Sequence, residues 1–219
     1  MIDPGLVQAL LAAAIIILVA FPVHEFSHAW MADRLGDATA RWQGRLTLDP
    51  RVHFDPIGGI VLIATVVLRT GFFIGWAKPT PVNPYNLRGG RRGEAFVALA
   101  GPISNLVMAI AVAIPLRLAV ADPGVLETIA TNDVADFVFG VAVFFVVINV
   151  LLFVFNFLPI PPLDGWRMLL GLVDARLAHS LRQYEQYGLI VLLLFILVGG
   201  RYLGDLISFV VRLLLPFAA

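Results

Sequence analysis

Long apolar runs separated by short polar stretches dominate the chain, and the length of the runs decides the class of fold. Mostly apolar segments cover residues 5–31, 94–121, 134–158 and 186–216. A helix needs roughly 20 apolar residues to cross a bilayer, so each segment predicts a spanning helix. The last is long enough for one tilted helix, or for two pieces broken near Gly199-Gly200-Arg201. A fifth segment, 57–77, is interrupted by Arg69 and a Thr-Gly pair and keeps a clean apolar core of only about a dozen residues, short of a full crossing. Residues 40–50 (ARWQGRLTLDP) alternate Arg45 and Thr47 with Leu46 and Leu48; Gly44 is placed to bend the chain and Pro50 to stop it, which reads as a short strand pair.

Loop charges orient these elements. Residues 122–136 hold Asp122, Glu127, Asp133 and Asp136 and no Lys or Arg, whereas 33–53 holds Arg34, Arg41, Arg45 and Arg51, and 78–92 holds Lys78, Arg88, Arg91 and Arg92. Cationic loops stay cytoplasmic, so both ends of 57–77 belong on one side. The segment then dips in and returns, or lies tilted against the bundle; a simple crossing is the alternative. Trp30, Trp42, Trp76 and Trp166 suit interfacial positions. The expected fold is all-α: a polytopic transmembrane helical bundle with a short membrane-associated β-hairpin. It is expected to form one integral membrane domain over 1–219, with a core at 5–176 and a C-terminal helical segment at 186–216.

Composition agrees and narrows the chemistry. Of 219 residues, 60% are hydrophobic and 14% charged, against about a quarter charged in soluble domains. Cysteine is absent, which excludes disulfides and thiolate metal ligands. Net charge is zero, so nothing points to nucleic acid. The first 21 residues lack Lys or Arg ahead of the apolar run and read as a permanent helix, not a cleaved signal.

The chemistry sits at the end of the first run, in His24-Glu25-Phe26-Ser27-His28. At i and i+4, two imidazoles project from one helix face and can grip one metal ion. Glu25 lies about 100° round the helix, where it reaches a water on the metal and not the metal itself. Ionisable groups at membrane depth are costly and by default mark function. A catalytic zinc needs three protein ligands and an open position. Asp164 stands apart from the other acids, because it ends Asn156-Phe157-Leu158-Pro159-Ile160-Pro161-Pro162-Leu163-Asp164-Gly165, a proline-stiffened stretch directly after an apolar helix. The bland readings are a chance pattern at a helix end for the histidines and a turn or N-cap for Asp164. His53 reads as a loop or supporting histidine and His179 as a solvated one. Asn105, Asn149 and Asn156 are candidates for interhelical hydrogen bonds, and Gly101-Pro102 for a kink or a close-packing point.

The order HEFSH at 24–28, AGPISN at 100–105 and NFLPIPPLDG at 156–165 resembles the site-2 protease family of intramembrane zinc metalloproteases, over nearly the whole chain. The resemblance implies one zinc per chain held by His24, His28 and Asp164, with Glu25 as the catalytic carboxylate. It also implies three core helices around the metal and hydrolysis of peptide bonds in transmembrane segments of a protein or peptide substrate, near the cytoplasmic side of the cell membrane. Asn105 and Asn156 are candidate donors to the scissile carbonyl or to the substrate backbone, and the resemblance favours Asn156. The expected strand at 45–48 could pair with an unwound substrate. No inserted PDZ-like or CBS-like sequence is recognisable, as in compact bacterial members. The alternatives are a transporter or ion pathway using the same buried groups, or a zinc-binding scaffold without catalysis. Substrate and oligomeric state are left open.

Overall fold

A computed structural model of the chain describes residues 4–68 and 74–217. The protein is 78% helix, and no strand occurs among the described residues. Helix α1 (Pro4–Ile15) runs through a π turn (Ile16–Ala20) into α2 (Phe21–Arg34). Pro22 accounts for the irregular turn: it brings no N–H, and its ring crowds the carbonyl four residues back, at Leu18. The wider π turn relieves that crowding just ahead of the His24–His28 face. Helix α2 ends at Gly36, whose φ of 103° permits a Schellman cap. In it the Asp37 N–H reaches the Ala32 carbonyl at 2.9 Å and the Gly36 N–H reaches Asp33 at 3.1 Å.

The expected hairpin at 40–50 is replaced by two single helical turns, α3 (Thr39–Trp42) and α4 (Pro50–His53). Gly44 does adopt positive φ, at 68°, but as a second Schellman cap. The Arg45 N–H bonds to the Ala40 carbonyl at 2.8 Å and the Gly44 N–H to Arg41 at 3.0 Å. A left-handed glycine serves a helix end as well as a hairpin, and local pattern did not separate the two. The alternation fails as well, since Arg45 is buried and Leu48 is exposed. Pro50 opens α4 behind its N-cap Asp49 and does not stop a strand. Asp55-Pro56 and Asp122-Pro123 start α5 (Pro56–Val67) and α7 (Pro123–Thr131) in the same way.

Helix α5 is apolar but only 12 residues long. Arg69 and the Thr70-Gly71 pair lie outside the described residues. Beyond them the chain returns along α5 as an irregular strap, residues 74–83. The Ile74 N–H meets Thr65 Oγ1 at 3.3 Å, and the Lys78 N–H meets the His53 carbonyl at 2.8 Å. Gly58 and Gly75 allow the close approach: a Cβ on Gly58 would sit 2.1 Å from the Trp76 carbonyl oxygen, and one on Gly75 2.7 Å from Leu62 Cβ. Helix α5 and the strap therefore lie side by side, with His53 and Lys78 together at one end.

Helix α6 (Arg91–Ala121) is the axis of the bundle and packs on α2, on α8 (Asp133–Asn156) and on α9 (Asp164–Leu172). Four helical stretches are long and apolar enough to span a membrane: Leu10–Arg34, Arg91–Ala121, Asp133–Asn156 and Glu185–Leu214. Ala109, Ala113, Val146, Val150 and Val154 form the apolar core between α6 and α8, joined by Val211 and Leu215 at the C-terminal end of α11 (Gly188–Leu214). Small side chains let the two helices approach closely. Helix α11 is continuous through Gly199-Gly200, and most of its length faces outward. Trp30, Trp42 and Trp76 are exposed; Trp166 is instead buried, its indole N–H donating to Glu185 Oε1 at 2.9 Å below α10 (Ala175–Arg182).

Asp37 is the polar knot of this end. Fully buried, it accepts from the Thr39 N–H and hydroxyl, the Asn83 N–H at 2.7 Å and Asn86 Nδ2 at 3.1 Å. Burial works against its ionisation, but these donors outweigh it and hold the carboxyl below its usual range. We expect Asp37→Ala to cost roughly 2–4 kcal/mol. A carboxylate with a lowered folded-state pKa stabilises the fold above its unfolded value of about 3.9, and that contribution fades as pH falls through the folded value. Thermal unfolding in detergent should show the full gap between wild type and Asp37→Ala at neutral pH, narrowing below about pH 4. A gap that persists unchanged into acid contradicts this.

Candidate metal centre

Helix α2 presents His24 and His28 towards α6 with ring planes at 82° and centroids 4.7 Å apart. Both are buried. Their Nε2 atoms lie 3.0 Å from each other. Asp164, at the first turn of α9, brings Oδ2 to 3.0 Å from His24 Nε2 and 3.2 Å from His28 Nε2. The carboxylate is thus 140 residues from the first imidazole in sequence and in direct contact with it.

The far side of each ring fixes its tautomer. His28 Nδ1 is 2.7 Å from the Val97 carbonyl, which can only accept, so Nδ1 carries the proton. Pro102 has no N–H for the Ala98 carbonyl and opens that turn of α6, next to the carbonyl that His28 uses. His24 Nδ1 is 2.7 Å from Asn105 Oδ1. Asn105 Nδ2 donates to Asn149 Oδ1 at 3.0 Å, and Asn149 Nδ2 donates to the Phe145 carbonyl at 2.9 Å. A backbone carbonyl at the end of this relay sets the direction of every bond in it, so Asn105 offers His24 its oxygen and His24 Nδ1 donates. With both protons on Nδ1, both Nε2 lone pairs point at Asp164 Oδ2.

Three acceptor atoms then crowd one point. A single proton there can serve one pair only, whereas a divalent cation serves all three. The donor set of two imidazoles and a carboxylate, with no thiolate, suits zinc. The spacings also fit, since the edges of a tetrahedron with zinc–ligand distances of about 2.0–2.1 Å are about 3.3 Å. The outward-facing partners, Val97 and the Asn105–Asn149 relay, are of the kind that orients metal-bound histidines.

Glu25 is half-buried and hydrogen-bonds to the strap. Its Oε2 accepts the Thr80 N–H at 2.7 Å, and its backbone carbonyl accepts the Thr80 hydroxyl at 2.9 Å. Asn156 donates to the Leu152 carbonyl at 3.0 Å within its own helix, and among the described residues no hydrogen bond joins it to the triad. Asn105 has no exposed surface, so it can touch His24 but not a substrate. His53 is buried and bonds to the Thr47 carbonyl at 2.7 Å, and His179 is exposed; neither joins the triad.

Two residues of the site escaped sequence reasoning. Gly101 lies against the imidazoles: a Cβ there would sit 2.3 Å from His28 Nε2 and 2.7 Å from His24 Cε1. Its place in the AGPISN motif suggested close packing without naming the partner. Thr80 carried no signal beyond its two flanking prolines. Gly165 lets the turn that carries Asp164 pack closely, because a Cβ there would meet the Phe157 and Leu158 carbonyl oxygens at 2.4 and 2.3 Å.

The sequence profile of Peptidase family M50 matches residues 119–199, a stretch that includes Asn156 and Asp164. YwhC of Bacillus subtilis (strain 168), provisionally named a zinc metalloprotease, is 40% identical over 192 residues, covering 86% of this chain and 81% of YwhC. The chain belongs to peptidase family M50. This M50 peptidase is also 30% identical to Rip2 of Mycobacterium tuberculosis (strain ATCC 25618 / H37Rv) over 190 residues, covering 85% of the chain and 68% of Rip2. Against Rip2 of Mycolicibacterium smegmatis it is 30% identical over 181 residues, 82% and 64% of the two chains. Both Rip2 proteins carry the same provisional description. No solved structure matches it with significance.

Substitutions behind the triad test how the M50 peptidase builds its centre. Asn105→Leu should weaken zinc binding about 10- to 100-fold, the usual scale for losing a partner of a metal-bound histidine. Gly101→Ala should displace both rings and lower zinc content further. Metal analysis of purified protein against a zinc buffer series checks both, and undiminished affinity in either variant contradicts the geometry.

Proposed function

We propose that His24, His28 and Asp164 hold one zinc ion and that Glu25 is the general base and acid of peptide hydrolysis. The protein is a multi-pass intramembrane zinc metallopeptidase of family M50. The observation that carries the site assignment is the convergence of three acceptor atoms within 3.2 Å, two of them on rings whose protons are committed elsewhere. Zinc held there supplies Lewis acidity for a water and for the scissile carbonyl.

Glu25 takes a proton from the attacking water and returns it to the leaving nitrogen. Its Oε2 is occupied by the Thr80 N–H, which leaves Oε1 for the water. Asn105 orients His24 and does not touch substrate. Asn156, half-buried at the end of α8, is the candidate donor to the substrate backbone, and to serve it exchanges its bond to Leu152 for one to substrate. The substrate is a transmembrane segment of a protein or peptide, which reaches the centre from the bilayer and is unwound there. Residues 1–219 act as one membrane domain, with the site within the core at 5–176 and the segment at 186–216 packed on α6 and α8 through Val211 and Leu215. No observation favours the transporter reading.

Glu25→Gln should keep zinc at the wild-type level and lose at least about 100-fold in cleavage of a membrane-spanning peptide, the lower end of what a positioned base contributes. A chelator should abolish wild-type cleavage and added zinc restore it. Wild-type turnover by Glu25→Gln removes Glu25 as the base. Asp164→Asn with full zinc affinity removes Asp164 as a ligand.

A further inference from the structure

Among the described residues, the buried ionisable residues that the metal centre leaves unused gather round one piece of chain, the 78–83 part of the strap. Arg45 is 5% exposed, His53 1% and Asp37 fully buried, though none is a ligand of the triad. Arg45 Nη2 donates to the Lys78 carbonyl, and the Lys78 N–H donates to the His53 carbonyl at 2.8 Å. His53 is itself pinned through Nε2 to Thr47. At the other end Asp37 Oδ2 takes the Asn83 N–H at 2.7 Å. Between these anchors Pro79 and Pro81 fix φ on either side of Thr80. Thr80, 8% exposed, is thereby presented to Glu25 at two points, its N–H on Oε2 and its hydroxyl on the backbone carbonyl.

Such expenditure of buried charge on an irregular segment calls for a reason beyond holding a loop. Burying an arginine and an aspartate is costly, the more so here because Arg45 Nε is buried without a hydrogen-bond partner. The product of the arrangement is one rigid N–H aimed at one carboxylate oxygen. A glutamate side chain has three rotatable bonds, and a base must sit within hydrogen-bond reach of the proton it takes. The clasp ties the carboxylate and the backbone of Glu25 to the same residue, which restricts those rotations and leaves Oε1 for water.

We propose that Thr80 is a positioning residue for the proteolytic carboxylate, and that Arg45, His53 and Asp37 act on catalysis by holding the strap that carries it. The proposal rests on Glu25 being the base. It concerns orientation, so its signature lies in turnover and not in substrate or metal binding.

The test uses the full chain, zinc-loaded, in detergent, with a membrane-spanning peptide that the wild type cleaves. Thr80→Val keeps the shape and the N–H but removes the hydroxyl; Thr80→Ser keeps both donors. Thr80→Val should lower kcat about 10-fold, a part of the roughly 100-fold that a misplaced catalytic group can cost. KM should stay within about twofold and zinc content unchanged, and Thr80→Ser should recover most of the loss. Amide exchange gives a readout independent of turnover. In Glu25→Ala the amide of residue 80 should exchange at least about 10-fold faster while that of Asn83, held by Asp37, is unchanged. Wild-type or raised kcat in Thr80→Val overturns the proposal, raised kcat by showing that the strap restrains the base. So does loss of zinc from Thr80→Val, failure of Thr80→Ser to recover activity, or equal acceleration of both amides. Cleavage by Glu25→Gln at the wild-type rate would instead remove the base assignment and leave the clasp as a structural contact.

Discussion

Three acceptor atoms meeting at one point inside an apolar bundle is the constraint on which the rest of this protein depends. In water such a cluster would be solvated apart. Here His24 and His28 are buried on α2, Asp164 is held by α9, and neither element can withdraw without exposing packed surface. A single divalent cation would relieve the repulsion among all three lone pairs at once, which is the preorganisation that the proposed metal centre requires. Preorganisation of this kind costs stability in the metal-free protein and returns it as affinity.

Helix α6 makes the arrangement affordable to the bilayer. One face of it supplies a carbonyl at Val97, a gap at Gly101 and an amide at Asn105, spaced a turn apart along the side that meets α2. The other contact runs to Asn149 on α8 and ends in a helix carbonyl at Phe145. Every polar atom in this relay is partnered, as the low dielectric demands. The proline at 102 interrupts α6 beside the carbonyl that His28 uses, and the proline at 22 widens α2's approach to the histidines. Both irregularities fall at the site, while the second internal proline of α6, Pro115, lies more than three turns further along.

Around this centre the cation-rich segments form a second polar layer. The two Schellman caps at Gly36 and Gly44 turn the chain so that Asp37 and Arg45 point inward, where they meet the strap instead of solvent. The arginines of residues 33–53 therefore do not all behave alike. Arg41, Arg51 and Arg34 are outward and pair locally with Asp33, with Asp49 and with the Trp30 ring, as topology signals would. Arg45 is inward and structural. Charge counting treats them as one class, because orientation relative to a cap does not appear in composition.

How much was legible follows from the range of each interaction. The apolar runs, the HEFSH spacing and the stiff approach to Asp164 are local patterns, and local periodicity is what a sequence displays; the four spans and the three candidate ligands came from it. At 40–50 a positive-φ glycine and two alternating leucines satisfy a hairpin and a helix cap equally, and only the tertiary structure selects the cap. Trp166 differs from the other three tryptophans in being buried against Glu185, a partner 19 residues away that local pattern does not display. What the chain determined by itself is which segments are long and apolar enough to span a membrane and which side chains are candidates for chemistry, because hydrophobic length and residue type act over a few turns. What only the tertiary structure decided is the tautomer of each imidazole, the space at Gly101 and the partner of Glu25. These rest on contacts 44 to 81 residues apart, made by chain packing that no local pattern encodes.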